Sequence, residues 1–333
     1  MRVLAGIILY VVAGCTILAA DAVAAAAVVA EVQYIQLAGE AADSNAQFSG
    51  MDWWGDSLIL LPQYPDWDSA QPVVFAITKR EILSFLASDD PQPIKPTPYL
   101  VFIPDKLTDL DGFDGFESIY FDGDNVYLTI EMDVFGTMFS YVVRGLADSA
   151  MHIIYVDANL VRLPTPVQVH NVSYEAMTKY EDYLYIIYEA NTKRLQDVPV
   201  AYRCTTNLAE CVQVPMEAVE ARVTDATRTD RSGGFYAVNT YDKKSAKKVR
   251  ANKREDECYF HTGSEHGVEK IIALAASDEG VFADLTHPAL CLRHPDKEPL
   301  FHNWEGIARL DNRGFLLITD TRPETVFGFV EMP

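Results

Sequence analysis

A short pattern that recurs along the chain constrains its fold more than any other feature. The pattern is a strand-like run, a turn marked by Asp, Asn or Gly, and a second strand-like run, and it occurs at residues 49–60, 117–130, 175–188, 225–238, 269–283 and 305–319. Successive copies begin between 36 and 68 residues apart, which leaves room for about four short strands in each. The sequence therefore predicts an all-β fold, a six-bladed β-propeller spanning residues 31–333.

The two ends of this predicted ring are expected to meet. After residue 319 only the run 324–333 remains, which is too short to complete a blade of four strands. The strand-like run 31–37 can supply the missing outer strand, and this closure removes an exposed sheet edge. One short helix is expected at residues 79–87. A doubly wound α/β fold would need long helices between the strands, and the sequence has none.

The first 24 residues are typical of an export signal. Arg2 is followed by an apolar run over residues 3–13 and then by small residues. Residues 12–15 also resemble a bacterial lipoprotein box, in which Cys15 is lipidated and is the only membrane anchor. The alternatives are cleavage in the Ala-rich stretch and, less simply, a retained anchor helix. We therefore expect a periplasmic or cell-envelope lipoprotein, or a secreted protein.

Four further cysteines fit an oxidising compartment. Cys204 and Cys211 flank a turn-like segment between two strand-like runs, which predicts a hairpin disulfide. A bond between Cys258 and Cys291 follows by elimination. The alternative is buried free thiols.

The charge balance limits the partners. The chain has 27 basic and 48 acidic residues and a net charge of -21, so it is not expected to bind nucleic acid, whose phosphates need basic surfaces. The predicted ligands are cations and small molecules that bind through a cation. We expect the protein to be a monomer.

Polar residues recur at two positions of each repeat. The first position holds Ser49, Glu117, Glu175, Asp225, Glu269 and Glu305, and the second holds Gln63, Glu131, Glu189, Asn239, Asp284 and Asp320. Two short strands joined by a tight turn bring the chain back to its starting end, so the two sets are expected to be neighbours at the mouth of the central channel. Crowded carboxylate and amide oxygens suit Ca²⁺ best and Mg²⁺ less well.

The predicted metal ligands are accordingly Glu117, Glu131, Glu175, Glu189, Asp225, Asn239, Glu269, Asp284, Glu305 and Asp320. The alternative is that the same acids cap strand ends or pair with Arg and Lys.

Residues 303–308 (NWEGIA) and 314–320 (GFLLITD) resemble the phytase-like β-propellers, the group described as having esterase-like activity. Residues 116–119 and 174–177 are similar to weaker copies of the same motif. More distantly, the chain resembles calcium-dependent lactonases of the paraoxonase type. The resemblance implies a six-bladed propeller with a metal-dependent hydrolase site, from which Ser49 departs because it replaces the acid of the first repeat.

Three histidines precede acids of the predicted ring. His170, His266 and His302 lie five, three and three residues before Glu175, Glu269 and Glu305, and each is a candidate general base. The predicted function is metal-dependent hydrolysis of esters, lactones or phosphoesters. The alternative is a binding propeller without catalysis, in which calcium is structural.

One basic segment interrupts the acidic chain, at residues 243–254. It follows a second strand of a repeat, so its start is expected on the face that carries the ring. There it can hold phosphate groups or anionic lipid heads. The anionic small-molecule substrate that we expect would be held by the calcium ion at the channel mouth. The alternative is a solvated charged hairpin.

Overall fold

The protein is described by a computed structural model that covers residues 26–66, 71–252, 256–261, 267–295, 301–320 and 325–333. Most of these residues form β-strands, and consecutive strands pair in antiparallel fashion through short turns. The strands are rich in β-branched and aromatic residues, as in the sequence YLYIIY of Tyr183–Tyr188, which pack well on a pleated surface. Gly123 lies in one such turn with φ of +61°, a conformation that glycine adopts without steric cost.

The described strands group into five blades. The first blade contains β2 (Phe48–Trp54), β3 (Ser57–Pro62), β4 (Val73–Thr78) and β5 (Thr97–Phe102). The second contains β6 (Phe113–Asp122), β7 (Asn125–Val134), β8 (Thr137–Asp148) and β9 (Ile153–Pro164). The third contains β10 (Tyr174–Tyr180), β11 (Tyr183–Tyr188), β12 (Val200–Thr205) and β13 (Cys211–Pro215).

The remaining strands form the last two blades. The fourth contains β14 (Arg222–Ala226), β15 (Gly234–Asp242), β16 (Gly267–Ser277), β17 (Gly280–Ala283) and β18 (Leu290–Arg293). The fifth contains β19 (Trp304–Leu310), β20 (Gly314–Thr319), β21 (Phe327–Glu331) and the N-terminal strand β1 (Val28–Ile35).

The first strands of the blades form a closed ring. Strand β2 contacts β6, β6 contacts β10, β10 contacts β14, β14 contacts β19, and β19 contacts β2. Apolar clusters fill the five gaps between successive blades. The propeller prediction is thus supported by the strand pairing, whereas the predicted count of six blades is not confirmed in the described residues.

The difference arises at residues 269–283. This copy of the pattern is a genuine hairpin, but its strands β16 and β17 pair outside β15 and do not line the channel. A hairpin has the same local sequence pattern at the inner and the outer part of a blade, because strand pairing and turn chemistry are the same in both places.

The chain ends close the ring as predicted. Residues 32–35 of β1 pair antiparallel with β21, and residues 28–31 pair parallel with β18. The N-terminal strand therefore completes the fifth blade and also joins it to the fourth.

Short helices and disulfides lie outside the inner strands. The expected helix is present as α1 (Lys79–Leu86), and Thr78 caps it by accepting a hydrogen bond from the Glu81 amide. The others are α2 (Asp105–Thr108), α3 (Lys243–Lys248) and α4 (Glu257–His261), with 3-10 turns at Glu40–Ala42 and Ser44–Ala46. Among the helices of the described ranges, none has the length and apolarity needed to cross a membrane.

Both predicted disulfides are present. Cys204 is bonded to Cys211 across β12 and β13, and Cys258 is bonded to Cys291 between α4 and β18. Such bonds are typical of exported proteins. The predicted signal and Cys15 lie outside the described residues.

Candidate functional site

A β-bulge occurs at the same place in every inner strand. The pairing of each first strand with the second skips one residue, and the skipped residues are Ser49, Glu117, Glu175, Thr224 and Glu305. A bulge changes the direction in which a side chain points and is common beside active sites. The recurring acid of the sequence is therefore the bulge residue in three of the five blades.

Four of the bulge residues, Ser49, Glu117, Glu175 and Glu305, line a cavity of about 340 Å³, whereas Thr224 is buried and donates to the Trp304 carbonyl. Residues from all five inner strands line it, so it is the mouth of the central channel, as the sequence predicted for the acidic positions. Its ionisable lining consists of Tyr64, Asp114, Glu117, Glu131, Glu175, Arg222, Lys248, Glu305 and Asp320.

Arg222 is the main cation of this cavity. Its side chain is only 13% exposed and forms ion pairs with Glu175 at 3.4 Å, with Glu305 at 3.0 Å, and with Glu189. It also donates to the Asn303 side-chain oxygen at 3.0 Å. Three of the predicted metal ligands are therefore paired with one arginine, which is the alternative that the sequence left open.

Three carboxyl groups are crowded together beside Arg222, and one of them, Glu175, also belongs to its ion pairs. One oxygen from each of Glu117, Glu131 and Glu175 lies within 4.8 Å of the others, and all three residues are buried. Burial, and next the charge of Glu175, raise the pKa of Glu131 to about 8. Burial, together with the charges of Glu131 and Glu175, raises the pKa of Glu117 well above its ordinary value. Like charges so close in a desolvated site favour bound protons.

The other carboxyl groups of the cavity differ in their partners. Burial raises the pKa of Glu175, although the charge of Arg222 opposes this. Burial also raises the pKa of Glu305 well above its usual range, again against Arg222. Glu117 accepts a hydrogen bond from the Gln63 amide at 2.9 Å. The cavity thus places Glu117 and Glu131, whose pKa values are raised, next to two carboxyl groups, Glu175 and Glu305, that face a guanidinium.

Two predicted ligands are buried, but their side chains form hydrogen bonds with backbone groups. Asp225 accepts hydrogen bonds from the amides of Ile307 at 2.8 Å and Met51 at 3.4 Å, and so ties blade four to blades five and one. It lies one residue beyond the bulge and not at it. Asn239 donates from its side chain to the Arg222 carbonyl at 2.9 Å and thereby fixes the start of β14.

Two others lie away from the channel because β16 and β17 are outer strands. Asp284 follows β17 and pairs with His287 at 2.8 Å. Glu269 lies on β16, where it is buried beside His294 and His302. Neither lines the cavity, so neither is a ligand of an ion bound there.

The predicted histidine bases are also elsewhere. The His170 side chain is 81% exposed and lies 3.3 Å from Asp133. His302 is buried against Glu269, and His266 lies outside the described residues. No histidine of the described ranges lines the cavity.

The sequence did not single out Arg222 as functional. Arg222 is a single basic residue in an acidic chain. Only its position, just before the fourth repeat, could have indicated that it lies near the acids at the channel mouth. The start of the basic segment lies at the mouth, where the sequence predicted it. Lys248 of α3 donates to the Asn171 carbonyl, and Lys244 and Lys248 line a second cavity of about 590 Å³ that adjoins the first.

No protein-family model and no curated protein matches the chain. Solved structures that resemble it include an exo-1,5-α-L-arabinanase from a bovine ruminal metagenomic library, 9% identical with a TM-score of 0.48, matched over 89% of this chain and 100% of that one. A second belongs to the GH130 family of mannoside phosphorylases, which contains glycoside hydrolases that target β-1,2 mannosidic linkages in Candida mannan. It is 10% identical with a TM-score of 0.49, matched over 88% of this chain and 86% of that one. A third, a family 117 glycoside hydrolase of the marine bacterium Zobellia galactanivorans, is 11% identical with a TM-score of 0.49 over 91% of each chain. At this level of likeness we draw no conclusion about activity from them.

The resemblance to phytase-like propellers is wrong. The three solved structures named above are described as an arabinanase and glycoside hydrolases and not as phytase-like proteins, and no phytase-like family model matches the chain. The residues that suggested it form an inner hairpin: Trp304 is buried, and a Cβ atom at Gly306 would come within 2.6 Å of Ile318. The motif therefore reflects how an inner strand packs and does not identify a reaction.

Proposed function

We propose that the channel-mouth cavity hydrolyses glycosidic bonds by acid-base catalysis with its carboxyl groups. The observation that carries this proposal is the crowding of Glu117, Glu131 and Glu175 within 4.8 Å, together with the differing surroundings of these groups. Cleavage of a glycosidic bond needs one carboxyl group that donates a proton to the leaving oxygen and one carboxylate that acts on the sugar or on water.

Glu131 is the candidate acid. With a pKa of about 8 it holds its proton at neutral pH and still releases it readily to a leaving group. Glu175 is the candidate carboxylate, because the Arg222 guanidinium at 3.4 Å favours its charged form. The two roles are thus assigned to neighbouring residues that are both buried, of which only Glu175 forms an ion pair with Arg222 that opposes the effect of burial on its pKa.

The cavity lining favours a sugar over an ester or lactone. Among the described residues the lining contains no histidine or cysteine that would activate water or form an acyl intermediate. It does contain the amides of Gln47, Asn171 and Asn303, which suit the hydroxyl groups of a carbohydrate. Lys244 and Lys248 at the adjoining cavity suit the predicted anionic character of the substrate.

The test is an assay of the purified protein on a panel of aryl glycosides and oligosaccharides, with chelator present. Glu131→Gln should lower kcat/KM by about 10²- to 10⁴-fold on any substrate that is turned over. It should also remove the alkaline limb of the pH profile. The exposed Glu279→Gln is the matched control. Absence of turnover on every glycoside, or a Glu131→Gln variant as active as the wild type, contradicts the proposal.

A second candidate function is a binding propeller in which calcium is structural. The observation that favours it is the same carboxyl trio, in which Glu131 Oε1 makes no hydrogen bond among the described residues. Glu117, Glu131 and Glu175 would hold the ion through oxygen atoms, and Mg²⁺ would fit less well. Calcium at 100 times its Kd should then raise the free energy of unfolding by about 2.7 kcal/mol. Glu117→Gln should abolish this effect, and no glycoside should be hydrolysed.

A further inference from the structure

We propose that Glu269, His294 and His302 form a binding site for a divalent transition-metal ion, and that Zn²⁺ is the ion their donors suit best. Glu269 lies on β16, His294 directly follows β18, and His302 precedes β19. The site therefore lies between the fourth and fifth blades and is separate from the carboxyl groups of the channel mouth.

The donor atoms already lie close together. His294 Nε2 is 3.0 Å from Glu269 Oε2, and His302 Nδ1 is 3.8 Å from the same oxygen. Ligands of a tetrahedral Zn²⁺ ion at about 2.0–2.1 Å lie roughly 3.3 Å apart. The observed distances fall on both sides of this value, so small side-chain movements would complete the coordination.

The chemistry of the donors selects the kind of ion. Two imidazole nitrogens and one carboxylate oxygen are a common zinc set with a fourth position open, whereas calcium takes oxygen ligands alone. Glu269, which the sequence assigned to a calcium ring, thus belongs to a different kind of site because β16 lies in the outer part of its blade.

The surroundings orient Glu269 and His302 as in known metal sites, where the second nitrogen of a ligating histidine is held by a neighbour. The Tyr34 hydroxyl and His302 Nε2 are 2.8 Å apart, which leaves His302 Nδ1 facing Glu269. The His302 backbone amide donates to Glu269 Oε1 at 2.9 Å and leaves Oε2 for an ion. These contacts fix the carboxylate and one imidazole before any ion arrives.

His294 supplies a second, independent indication. Its side chain is nine-tenths buried, and its Nδ1 atom has no hydrogen-bond partner among the described residues. The ring lies 3.9 Å from the His302 ring, centroid to centroid, and both rings stack against the buried Trp304. Two imidazoles packed this closely around one carboxylate are well suited to share a cation.

A bound ion would fasten the place where the ring closes. Tyr34 belongs to the N-terminal strand β1, and that strand pairs with both β18 and β21. The ion would connect β16 with the segments that follow β18 and precede β19. Its expected role is to stabilise the junction of the fourth and fifth blades.

The test uses the purified full chain, freed of metal by chelator and titrated with ZnCl₂. We expect one tightly bound Zn²⁺ per chain by calorimetry and elemental analysis, with a rise in Tm. Co²⁺ should bind in its place and show the visible absorption of a low-coordinate nitrogen and oxygen site. His294→Gln should weaken binding by at least about 100-fold. His287→Gln, an exposed histidine that pairs with Asp284, should leave it unchanged.

Circular dichroism of the His294→Gln variant shows whether it is folded, and Glu269→Gln gives a second test if it is not. A chain that binds no Zn²⁺ at micromolar concentrations overturns the proposal. So does zinc binding that His294→Gln and Glu269→Gln leave intact, or binding that Glu117→Gln removes, because that would place the ion in the channel mouth.

Discussion

The channel mouth and the histidine cluster beside it balance buried carboxylates in opposite ways. At the mouth, burial and neighbouring carboxylates raise the pKa of Glu131 to about 8. At the cluster, burial acts in the same direction on Glu269, but hydrogen bonds from His294 and His302 bring its pKa below the ordinary value. The same residue type, buried in both places, therefore favours its protonated form at the mouth and its charged form at the cluster.

The comparison shows that burial alone does not set the chemistry of a carboxyl group. The partners within hydrogen-bond reach decide which form is favoured. The mouth has more acids than cations and is suited to moving protons, whereas the cluster has one acid and two imidazoles and is suited to holding a cation. Four predictions test this contrast.

The largest expected effect is that of Arg222→Met. The change leaves Glu175, Glu189 and Glu305 buried without their shared cation, so it should lower the free energy of unfolding by about 3–5 kcal/mol at neutral pH. Chemical denaturation measures this, and the loss should shrink in acid, where the carboxyl groups are protonated. Arg194→Met, which breaks a more exposed ion pair with Glu220, should cost less than about 1 kcal/mol. Equal costs would mean that Arg222 does not neutralise the mouth.

The next effect concerns the disulfide beside the histidine cluster. Cys258→Ala with Cys291→Ala opens a loop with a sequence separation of 33, and it should lower the free energy of unfolding by about 3–4 kcal/mol. Because Cys291 lies on β18 just before His294, zinc affinity should fall while hydrolysis is unaffected. The matched control removes the bond between Cys204 and Cys211, with a separation of 7. That change should cost about 2 kcal/mol and leave zinc binding intact.

Glu131→Gln should stabilise the protein at high pH. The folded pKa of Glu131, about 8, lies above its unfolded value of about 4.3, so the folded state keeps a proton that the unfolded chain releases. Wild-type stability should therefore fall as the pH rises from about 4.5 to 8, by up to about 1.4 kcal/mol per pH unit for this group.

The variant has no such proton to lose. In chelator it should be more stable than wild type at pH 8 by about 1–3 kcal/mol and similar to it at pH 4.5. Denaturation curves across this range provide the measurement, and Glu279→Gln should keep the wild-type slope. A variant that parallels the wild type would mean that Glu131 is ionised throughout.

The smallest effect is expected for Tyr34→Phe. The change removes the hydroxyl that lies 2.8 Å from His302 Nε2, and it should cost about 1 kcal/mol of stability and about tenfold in zinc affinity. Calorimetry on the metal-free chain measures the affinity. Tyr155→Phe, at an exposed tyrosine, should change neither. An unaltered affinity would show that Tyr34 does not position His302.

Much of the fold was predictable because strands and turns depend mainly on residues that are close together in the sequence. The hairpins at Ser49, Glu117, Glu175 and Glu305, the closing strand β1, helix α1 and both disulfides all follow from nearby residues or from counting. Glu117, Glu175 and Glu305 were predicted to lie together because residues at the same position of a repeat occupy equivalent positions in successive blades. The position of Glu269 was not predictable in this way, because its hairpin differs from an inner one only in what it pairs with.

The sequence by itself determined that strands repeat around an axis and that carboxyl groups gather at one end of the channel, because period, turn residues and bulge positions are local properties of the chain. Only the tertiary structure decided that Arg222 neutralises part of this group and that Glu269 meets two histidines instead. Both depend on contacts between segments distant in the sequence, such as Arg222 with Glu305 and Glu269 with His302. Electrostatic energies depend on those distances and on burial, and a linear pattern contains neither.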